Sequence, residues 1–290
     1  MQSDDIRNTV VTSIFSNDDL LDILTLKGGN AMKLLSLTNR ESSDLDFSIA
    51  QGKKISKEVE GKKIEKQLNQ SFEEIGYKVI SFKFSDKPAK RRPLTPPYWG
   101  GYQIQFSIIS IDKFNNLNDK QKNNINAYAE SIENGKKKIK IDLSFEEYTE
   151  PRIEAQLNEY NIYLYSPLMI VYEKIRASCQ QLPEYKLSSE KTRARDLYDI
   201  YTMLTHKKQM DLKEEVFNKE NFYIIKKMFE LKNVDFSLML KLETIKEELR
   251  IDYEMNVIPQ IPGNEIRPDF DFLFSYNNEI FLDLFEAISE

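Results

Sequence analysis

The spacing of apolar residues changes near Pro151, and this change constrains the fold more than any other feature of the chain. Before Pro151, several segments alternate apolar and polar residues, as β-strands with one buried face do. After it, apolar residues recur at helical spacing. The strand-like segments are residues 77–84, 102–109 and 137–145, and the helical ones are residues 167–181, 190–206, 211–231, 236–255 and 277–288. The pattern predicts an α+β protein, with a mixed sheet and flanking helices in residues 1–150 and a mostly helical domain in residues 151–290.

The first half also contains a strand that leads through a glycine pair into a helix. A short helical segment from Leu20 precedes a strand that ends at Lys27, and Gly28 and Gly29 follow it directly. In the second half, Ser166-Pro167 is typical of a helix start, with serine as the cap and proline in the first turn. The other predicted elements of the first half are a helix at residues 30–37, a strand at 45–49, a helix at 55–75 and an irregular segment at 86–101.

Histidine and cysteine are so scarce that several kinds of site are excluded. The chain has one histidine, His206, and one cysteine, Cys179. A zinc site built from clustered cysteines and histidines and an internal disulfide are therefore both ruled out. The chain also lacks the glycine-containing motifs of α/β-hydrolases, P-loop proteins and dinucleotide-binding domains. What remains is carboxylate and lysine chemistry, which suits Mg²⁺ and phosphates.

The composition is that of a water-exposed globular protein without a membrane segment. Apolar residues make up 40% and charged residues 30% of the chain, which are ordinary proportions for a globular domain. No stretch approaches the roughly 18 apolar residues of a membrane span. The acidic, polar start of the chain does not resemble a secretory signal. Together with the single cysteine, these features predict a cytoplasmic protein with no membrane partner.

Two aspartates near a predicted strand are the strongest candidates for chemistry. Asp44 and Asp46 are two residues apart, so an extended backbone would point both carboxylates to one face, with Leu45 on the other. Two carboxylates side by side repel each other unless a cation lies between them. The pattern therefore favours a metal site, although two solvated aspartates at the start of an edge strand would look the same.

Two further features support a site that handles phosphates. The Gly28-Gly29 pair at a helix start can offer backbone N–H groups to phosphate oxygens, although a plain tight turn would also need glycines. Asp142 is the only acidic residue among the apolar residues of its predicted strand, where it needs a partner. That partner is either a metal ion or a nearby lysine.

These elements together resemble a known family. Residues 27–33 read KGGNAMK, 40–47 read RESSDLDF, 173–177 read EKIRA and 193–201 read RARDLYDIY. In this order they resemble the signature of abortive-infection nucleotidyltransferase toxins of the AbiEii/AbiGii type, which is similar to that of the MenT-like tRNA nucleotidyltransferase toxins. Asn30 stands where threonine or serine is commoner, and residues 180–189 lengthen the link between the last two motifs. Residues 205–290 match no motif of the family.

The resemblance implies transfer of a nucleoside monophosphate from an NTP, with Mg²⁺ or Mn²⁺ as cofactor. The metal would be held by Asp44, Asp46 and Asp142, and Asp142 would also accept the acceptor's proton. Lys174 would supply positive charge to the phosphates, while Asp196 would orient Lys174 or Arg193 or contact the nucleotide. The nucleotide-binding residues that the resemblance implies are Lys27, Gly28, Gly29, Asn30, Lys174 and Arg193. From the residues alone, Lys174 would be an ordinary surface lysine, and an Arg195–Asp199 ion pair would be an ordinary helix contact.

The resemblance favours RNA as the acceptor, notably the 3′ end of tRNA, and a cognate antitoxin as partner. The formal charge is −6, but residues 251–290 carry nine acidic residues and one basic residue, so the first 250 residues have a net charge of +2. Lys90, Arg91 and Arg92 lie near Tyr98 and Trp99, which combines phosphate-binding cations with stacking aromatics. An ordinary surface loop would have the same composition.

Three other interpretations stay open at this point: an enzyme with a different acceptor, a module without catalysis, and a plain structural protein, which would leave the clustered acids unexplained. The enzyme could modify a protein, as an AMP-transferase does, or a small molecule, instead of RNA. The chain could be a nucleotide-binding or antitoxin-binding module without catalysis, although every charged position of the signature is occupied. The acidic segment from Asp252 to Glu290 could dock a partner, although an amphipathic helix that closes the helical domain explains it better.

Overall fold

A computed structural model describes residues 3–38, 44–90, 95–132, 135–188 and 191–290. The chain divides into two units. Unit 1 comprises Met1–Lys27 and Ser43–Leu164, and unit 2 comprises Gly28–Ser42 and Tyr165–Glu290. The predicted fold class, a mixed sheet with flanking helices followed by a largely helical part, is confirmed.

All strands of the described chain belong to one mixed sheet of seven strands in unit 1, in the order β3-β4-β5-β2-β1-β7-β6. At its centre, β2 pairs in parallel with β5 and antiparallel with β1. The parallel β2–β5 pair places residues far apart in sequence side by side. The strands are β1 (Leu24–Lys27), β2 (Leu45–Ala50), β3 (Tyr77–Lys87), β4 (Gly101–Ser110), β5 (Ile139–Glu147), β6 (Ile153–Leu157) and β7 (Tyr160–Leu164).

Two helices cover the apolar face of this sheet. The Phe15 ring of α1 contacts Phe47 of β2, with ring centroids 5.8 Å apart. The Phe72 ring of α4 contacts Phe106 of β4 at 5.7 Å. All four rings are buried, so the core of unit 1 lies between the helices and this face. The helices of unit 1 are α1 (Ser3–Phe15), α2 (Asp18–Leu21), α4 (Glu60–Glu74), α5 (Ile111–Asn115) and α6 (Asp119–Asn123), and α3 (Gly28–Leu34) belongs to unit 2.

Unit 2 is built around a helix that is buried along almost its whole length, α7 (Pro167–Cys179). Its start has the predicted cap, because the Ser166 side chain accepts a hydrogen bond from the Met169 N–H. Burial of the Cys179 thiol raises its pKa, so this thiol is a core group and not a nucleophile. The other helices of unit 2 are α8 (Ala194–Leu204), α9 (Leu212–Phe217), α10 (Phe222–Leu231), α11 (Lys246–Asp252) and α12 (Phe270–Ser289), and residues 236–245 form a 3₁₀ segment.

The acidic end of the chain packs as the sequence favours. In α12, Phe270, Phe274 and Phe281 are buried, and the Asn277 amide donates to the Leu197 carbonyl of α8 at 3.1 Å. The helix therefore closes the core of unit 2 with its apolar side. It begins at Phe270, seven residues before its predicted start, because the Asp269 carboxylate caps the first turn.

Several predicted boundaries differ from those observed. The predicted helix at 55–75 begins only at Glu60, and the predicted helix at 211–231 is interrupted near Asn218, whose side chain caps a short 3₁₀ turn. Beyond residue 150, the strands β6 and β7 were not predicted. Residues 153–157 alternate apolar and polar side chains, but each segment is only five residues long. They extend the sheet, so the predicted domain boundary near residue 150 falls inside unit 1, and unit 2 also takes in Gly28–Ser42.

No helix within the described ranges combines the length and the apolar character that a membrane crossing requires.

Candidate functional site

A row of polar residues crosses the centre of the sheet. Lys27 of β1 lies opposite Asp46 of β2, Asp46 lies opposite Asp142 of β5, and Asp142 lies opposite Gln103 of β4. Residues that face one another on neighbouring strands point to the same side of a sheet. The neighbouring residues of β2 and β5, such as Phe47, belong to the buried apolar face. The register therefore joins Asp46 and Asp142, which are 96 positions apart in the sequence, on the polar face.

Asp142 has a partner at each of its two carboxylate oxygens. The Gln103 side-chain amide donates to Oδ1 at 2.9 Å, and the Lys87 ammonium contacts Oδ2 at 2.6 Å. The Asp142 side chain is 20% exposed and that of Lys87 is 52% exposed. An ammonium ion that is half in water is a weak partner, so another cation can compete for this oxygen.

Asp44 stands immediately before β2, two residues from Asp46, and is exposed. Within the ranges that the structure describes, no three aspartate, glutamate, histidine or cysteine side chains converge closely enough to hold a metal ion. The donor chemistry nevertheless fits a hard divalent cation, because Asp46 and Asp142 offer adjacent carboxylates and Asp142 already attracts a positive charge. The two opposed aspartates are thus the residues that could hold the metal, with Asp44 as the further carboxylate at the strand's start.

Lys27 is engaged in a buried ion pair. Its ammonium contacts the Glu147 carboxylate at 3.1 Å, and both side chains are less than a tenth exposed. A β-bulge explains how Glu147 reaches this face: between Ser48 and Ala50 of β2, strand β5 has one residue more than its partner, and Glu146 has a positive φ of 46°. The bulge turns Glu147 toward the polar face. Glu147 thereby supplies a carboxylate partner for the buried charge of Lys27.

The glycine pair lies where β1 passes into α3. Gly28 has a φ of 69°, a left-handed conformation that a side chain would strain, so glycine is needed to turn the strand into the helix. Gly29 and Asn30 follow within the helix, and both are buried. The predicted strand–glycine–helix arrangement is therefore present, with the helix beginning at Gly28 and ending at Leu34, earlier at both ends than the predicted range.

A second group of charges lies in the core of unit 2. The Lys174 ammonium of α7 contacts Asp196 at 3.0 Å and Asp199 at 2.6 Å, both on α8. Asp196 also pairs with the Arg193 guanidinium at 2.7 Å. The Lys174, Asp196 and Asp199 side chains are at most 4% exposed. Lys174 is therefore not a surface lysine. Asp199 is paired with Lys174, whereas the sequence alone indicated an ordinary helix pair of Arg195 and Asp199.

This network fixes the charge state of its members. Burial opposes the charged form of Lys174, but the carboxylates of Asp196 and Asp199 outweigh it, and the pKa of Lys174 is raised. Burial likewise opposes ionisation of Asp196, yet the cations of Arg193 and Lys174 hold the pKa of Asp196 well below its usual range. Both residues are thus charged at neutral pH, and each depends on the other.

The predicted RNA-binding residues lie only partly within the described chain. Lys90 is exposed, three residues beyond the end of β3. Arg91 and Arg92 lie outside the described residues, as does the part of the second motif at residues 40–43.

The family model described as "Nucleotidyl transferase AbiEii toxin, Type IV TA system" matches residues 10–276, which is most of the chain. The chain belongs to this family. Membership in the AbiEii family identifies the protein as a nucleotidyltransferase toxin of a toxin–antitoxin system. The resemblance inferred from the motifs is confirmed.

One solved structure supports the fold, and a second has a lower similarity. A protein from H. pylori, named as a candidate nucleotidyltransferase, has a TM-score of 0.50 and 15% identity, over 99% of this chain and 95% of its own. JHP933 from Helicobacter pylori has a TM-score of 0.47 and 16% identity, over 99% of this chain and 91% of its own. None of the curated proteins compared matches the AbiEii chain. At such low identity the first of these structures supports a shared fold alone.

Sequence reasoning missed Gln103 and Lys87, which contact Asp142, and Glu147, which balances Lys27. It named Asp199 but paired it with Arg195, whereas Asp199 contacts Lys174. Gln103 could have been found, because it is a polar residue at an alternating position of a predicted strand. Glu147 could not, because its direction depends on a bulge that the sequence does not reveal.

Proposed function

We propose that this AbiEii protein transfers a nucleoside monophosphate from an NTP to an RNA acceptor, the 3′ end of tRNA, with Mg²⁺ or Mn²⁺ as cofactor. The observation that carries the proposal is the opposed pair of Asp46 and Asp142 on the polar face of the sheet. Two adjacent carboxylates of this kind suit a reaction in which a polyphosphate and a hydroxyl must be brought to one cation. The cytoplasm, where NTPs and tRNA meet, is the proposed location.

The chemical step is an in-line displacement at the α-phosphorus of the NTP. The acceptor hydroxyl oxygen forms a bond to this phosphorus, the bond to the bridging oxygen of the β-phosphate breaks, and pyrophosphate leaves. A divalent cation, when bound, neutralises charge on the triphosphate and lowers the pKa of the hydroxyl. Asp44, Asp46 and Asp142 would hold it, and an Asp142 oxygen would take the hydroxyl proton.

Other residues of this chain would bind and orient the nucleotide. We propose that the backbone N–H groups of Gly28 and Gly29 support the triphosphate, with Lys27 and Asn30 beside them in sequence. Lys27 would act through its Glu147 pair, which fixes the charge at the end of β1. For the acceptor, Lys90, Arg91 and Arg92 would contact RNA phosphates.

Lys174, Asp196 and Arg193 would be required for transfer as a unit. The ammonium of Lys174 is shared by two buried carboxylates, so its position is fixed by α8 while Arg193, whose side chain is 45% exposed, forms the outer member of the group. Arg193 is thus the member best able to meet a nucleotide phosphate. Lys174→Ala would disturb the core, so a transfer assay on that variant must be corrected for the folded fraction.

The test incubates the purified protein with each α-labelled NTP and fractionated cellular RNA, followed by sequencing of the RNA 3′ ends. The proposal expects label in tRNA, added at the 3′ end, and none with Asp46→Asn. Label that resists nuclease but is lost on proteolysis would show a protein acceptor instead. No incorporation by the wild-type protein with any NTP would contradict the proposal, including its Mg²⁺ or Mn²⁺ dependence.

As a toxin of a type IV system, the protein is expected to have a cognate antitoxin. Co-expression of that antitoxin should restore the growth of cells that express the toxin.

A further inference from the structure

A cavity of about 490 Å³ lies in unit 1 where β3 ends and β4 begins. Its lining includes Lys53, Lys54, Asp86, Tyr102, Phe145 and Glu146. Tyr102 precedes Gln103, the partner of Asp142, and successive strand residues point to opposite faces. The cavity therefore lies on the face of the sheet opposite the one that carries the aspartate row of Asp46 and Asp142. Its volume is in the usual range for a small-molecule or single-nucleotide pocket.

The charges of the cavity leave it positive. Asp86 is paired with the Lys57 ammonium, and the Glu146 carboxylate accepts a hydrogen bond from the Gly52 N–H at 3.2 Å. Lys53 and Lys54 are both exposed, and within the described ranges neither has an acidic partner. The backbone hydrogen bond leaves the charge of Glu146 in place, so the ammonium groups of Lys53, Lys54 and Lys57 outnumber the carboxylates of Asp86 and Glu146. An anionic ligand is the chemistry that this arrangement attracts.

The cavity also has a fixed aromatic wall. The rings of Tyr102 and Phe145 meet edge to face, with centroids 4.7 Å apart and an angle of 87°. Phe84 packs against the other side of Tyr102 at 5.1 Å and 84°. Rings held in this way keep their orientation without a ligand, so stacking on them costs little further ordering. Planar bases stack on such rings with little dependence on base identity.

The short segment after β3 connects this cavity to the aspartate row. Pro88 and Ala89 line the cavity, while the preceding residue, Lys87, contacts Asp142 on the other face. A ligand in the cavity is therefore separated from Asp142 by the thickness of the sheet, so a single NTP cannot reach both places. A chain of several nucleotides is long enough to reach both.

We propose that this cavity binds one nucleotide of a single-stranded RNA, with Phe145 and Tyr102 forming the base-binding wall and Lys53 and Lys54 contacting the flanking phosphates. The inference rests on the proposed function, since it gives the acceptor RNA a second point of attachment away from its reacting end. It concerns binding, however, and does not require that any nucleotide be transferred.

The test measures binding of a fluorescent single-stranded RNA of about 12 nucleotides, a usual site size, without NTP or divalent cation. The double variant Lys53→Ala/Lys54→Ala should bind about tenfold more weakly, and the salt dependence of log Kd should lose a slope of about 1.4, the value for two phosphate contacts on a single strand. Phe145→Leu should weaken binding about fivefold or more while leaving the salt slope unchanged.

The matched control is Lys62→Ala/Lys66→Ala, which removes the same charge from the exposed side of α4. Its Kd should stay within about twofold of wild type. Thermal unfolding of each variant shows that the fold is kept. An equal effect of both lysine pairs, or no binding by the folded wild-type protein, would overturn the proposal. If the cavity variants lose RNA binding but the wild type labels no RNA in the transfer assay, the proposed function fails while the cavity site stands.

Discussion

Unit 1 and unit 2 each contain aspartates paired with lysines, in opposite surroundings. In unit 1 they form the aspartate row of Asp46 and Asp142, and in unit 2 they form the buried group of Lys174, Asp196 and Asp199. Asp142 is partly exposed, and its lysine partner is half in water. Asp196 and Asp199 are buried, and their lysine partner is buried with them. A charge in water can exchange its partner at little cost, whereas a buried charge that loses its partner is strongly destabilised. The row is therefore suited to exchange ligands, whereas the buried group fixes the packing of α7 against α8.

The largest difference should appear in activity. Asp46→Asn keeps the shape of a partly exposed side chain but removes one of the two opposed carboxylates. We expect NMP transfer to fall about a thousandfold, because charge stabilisation at the reacting phosphate is lost, while the melting temperature is unchanged within error. Incorporation of α-labelled NTP and a thermal melt measure the two quantities.

The control for this variant is Asp112→Asn, an exposed aspartate in α5 of the same unit. It removes the same charge without touching the row and should retain full transfer. If Asp46→Asn keeps wild-type transfer, the aspartate row is not the catalytic centre.

The opposite result is expected for the buried group. Lys174→Met leaves Asp196 and Asp199 without their shared cation in the core. The free energy of unfolding should fall by about 3–5 kcal/mol, which is the usual cost of removing one partner of a buried ion pair. Urea denaturation measures it. Lys226→Met, an exposed lysine of α10, should change it by less than about 0.5 kcal/mol; a similarly small loss for Lys174→Met would remove the distinction between the two regions.

The pH dependence of stability should also come mainly from the buried group. The pKa of Asp196 is lowered in the folded protein, so its contribution is present above the ordinary aspartate pKa of ~4 and is lost as the pH falls below it. The pKa of Lys174 is raised, so its contribution is present below the ordinary lysine pKa of ~10 and is lost as the pH rises through the folded value.

Melting temperatures between pH 3 and pH 7 test the acid side of this expectation. Asp196→Asn should be less stable than wild type at pH 7, and the gap should narrow as the pH falls below ~4. A gap that is constant over this range would show that Asp196 does not gain its low pKa from its partners.

The smallest effect is expected for Lys87→Ala. Its ammonium is half exposed, so removing it should change the free energy of unfolding by less than about 1 kcal/mol. The same change removes a positive charge that competes for Asp142, and the affinity for Mn²⁺ should rise about threefold. Titration of Mn²⁺ followed by electron paramagnetic resonance gives the affinity. A weaker affinity would show that Lys87 supports the metal site instead of competing with it.

Much of this architecture is readable from the sequence where local pattern decides it. The alternation around Asp46 predicts β2, and Ser166-Pro167 predicts the start of α7. The glycine turn at Gly28 is marked by the residue that a positive φ requires. In each case a short run of residues contains the physical cause.

What was missed depends on contacts between distant segments. The opposed position of Asp46 and Asp142 follows from the parallel β2–β5 pairing, which no local pattern contains. The direction of Glu147 depends on a bulge, and the burial of Lys174 depends on how α8 packs against α7. The β6–β7 hairpin was not predicted because its strands are short and gain their stability from pairing with the rest of the sheet.

Mn²⁺ binding to the wild type, Asp46→Asn, Asp142→Asn and the Asp112→Asn control shows whether Asp46 and Asp142 form one cation site. We expect each change in the row to weaken the affinity by about tenfold or more, and we expect the control to bind like the wild type. Wild-type affinity in both row variants, with their fold intact, would contradict this expectation.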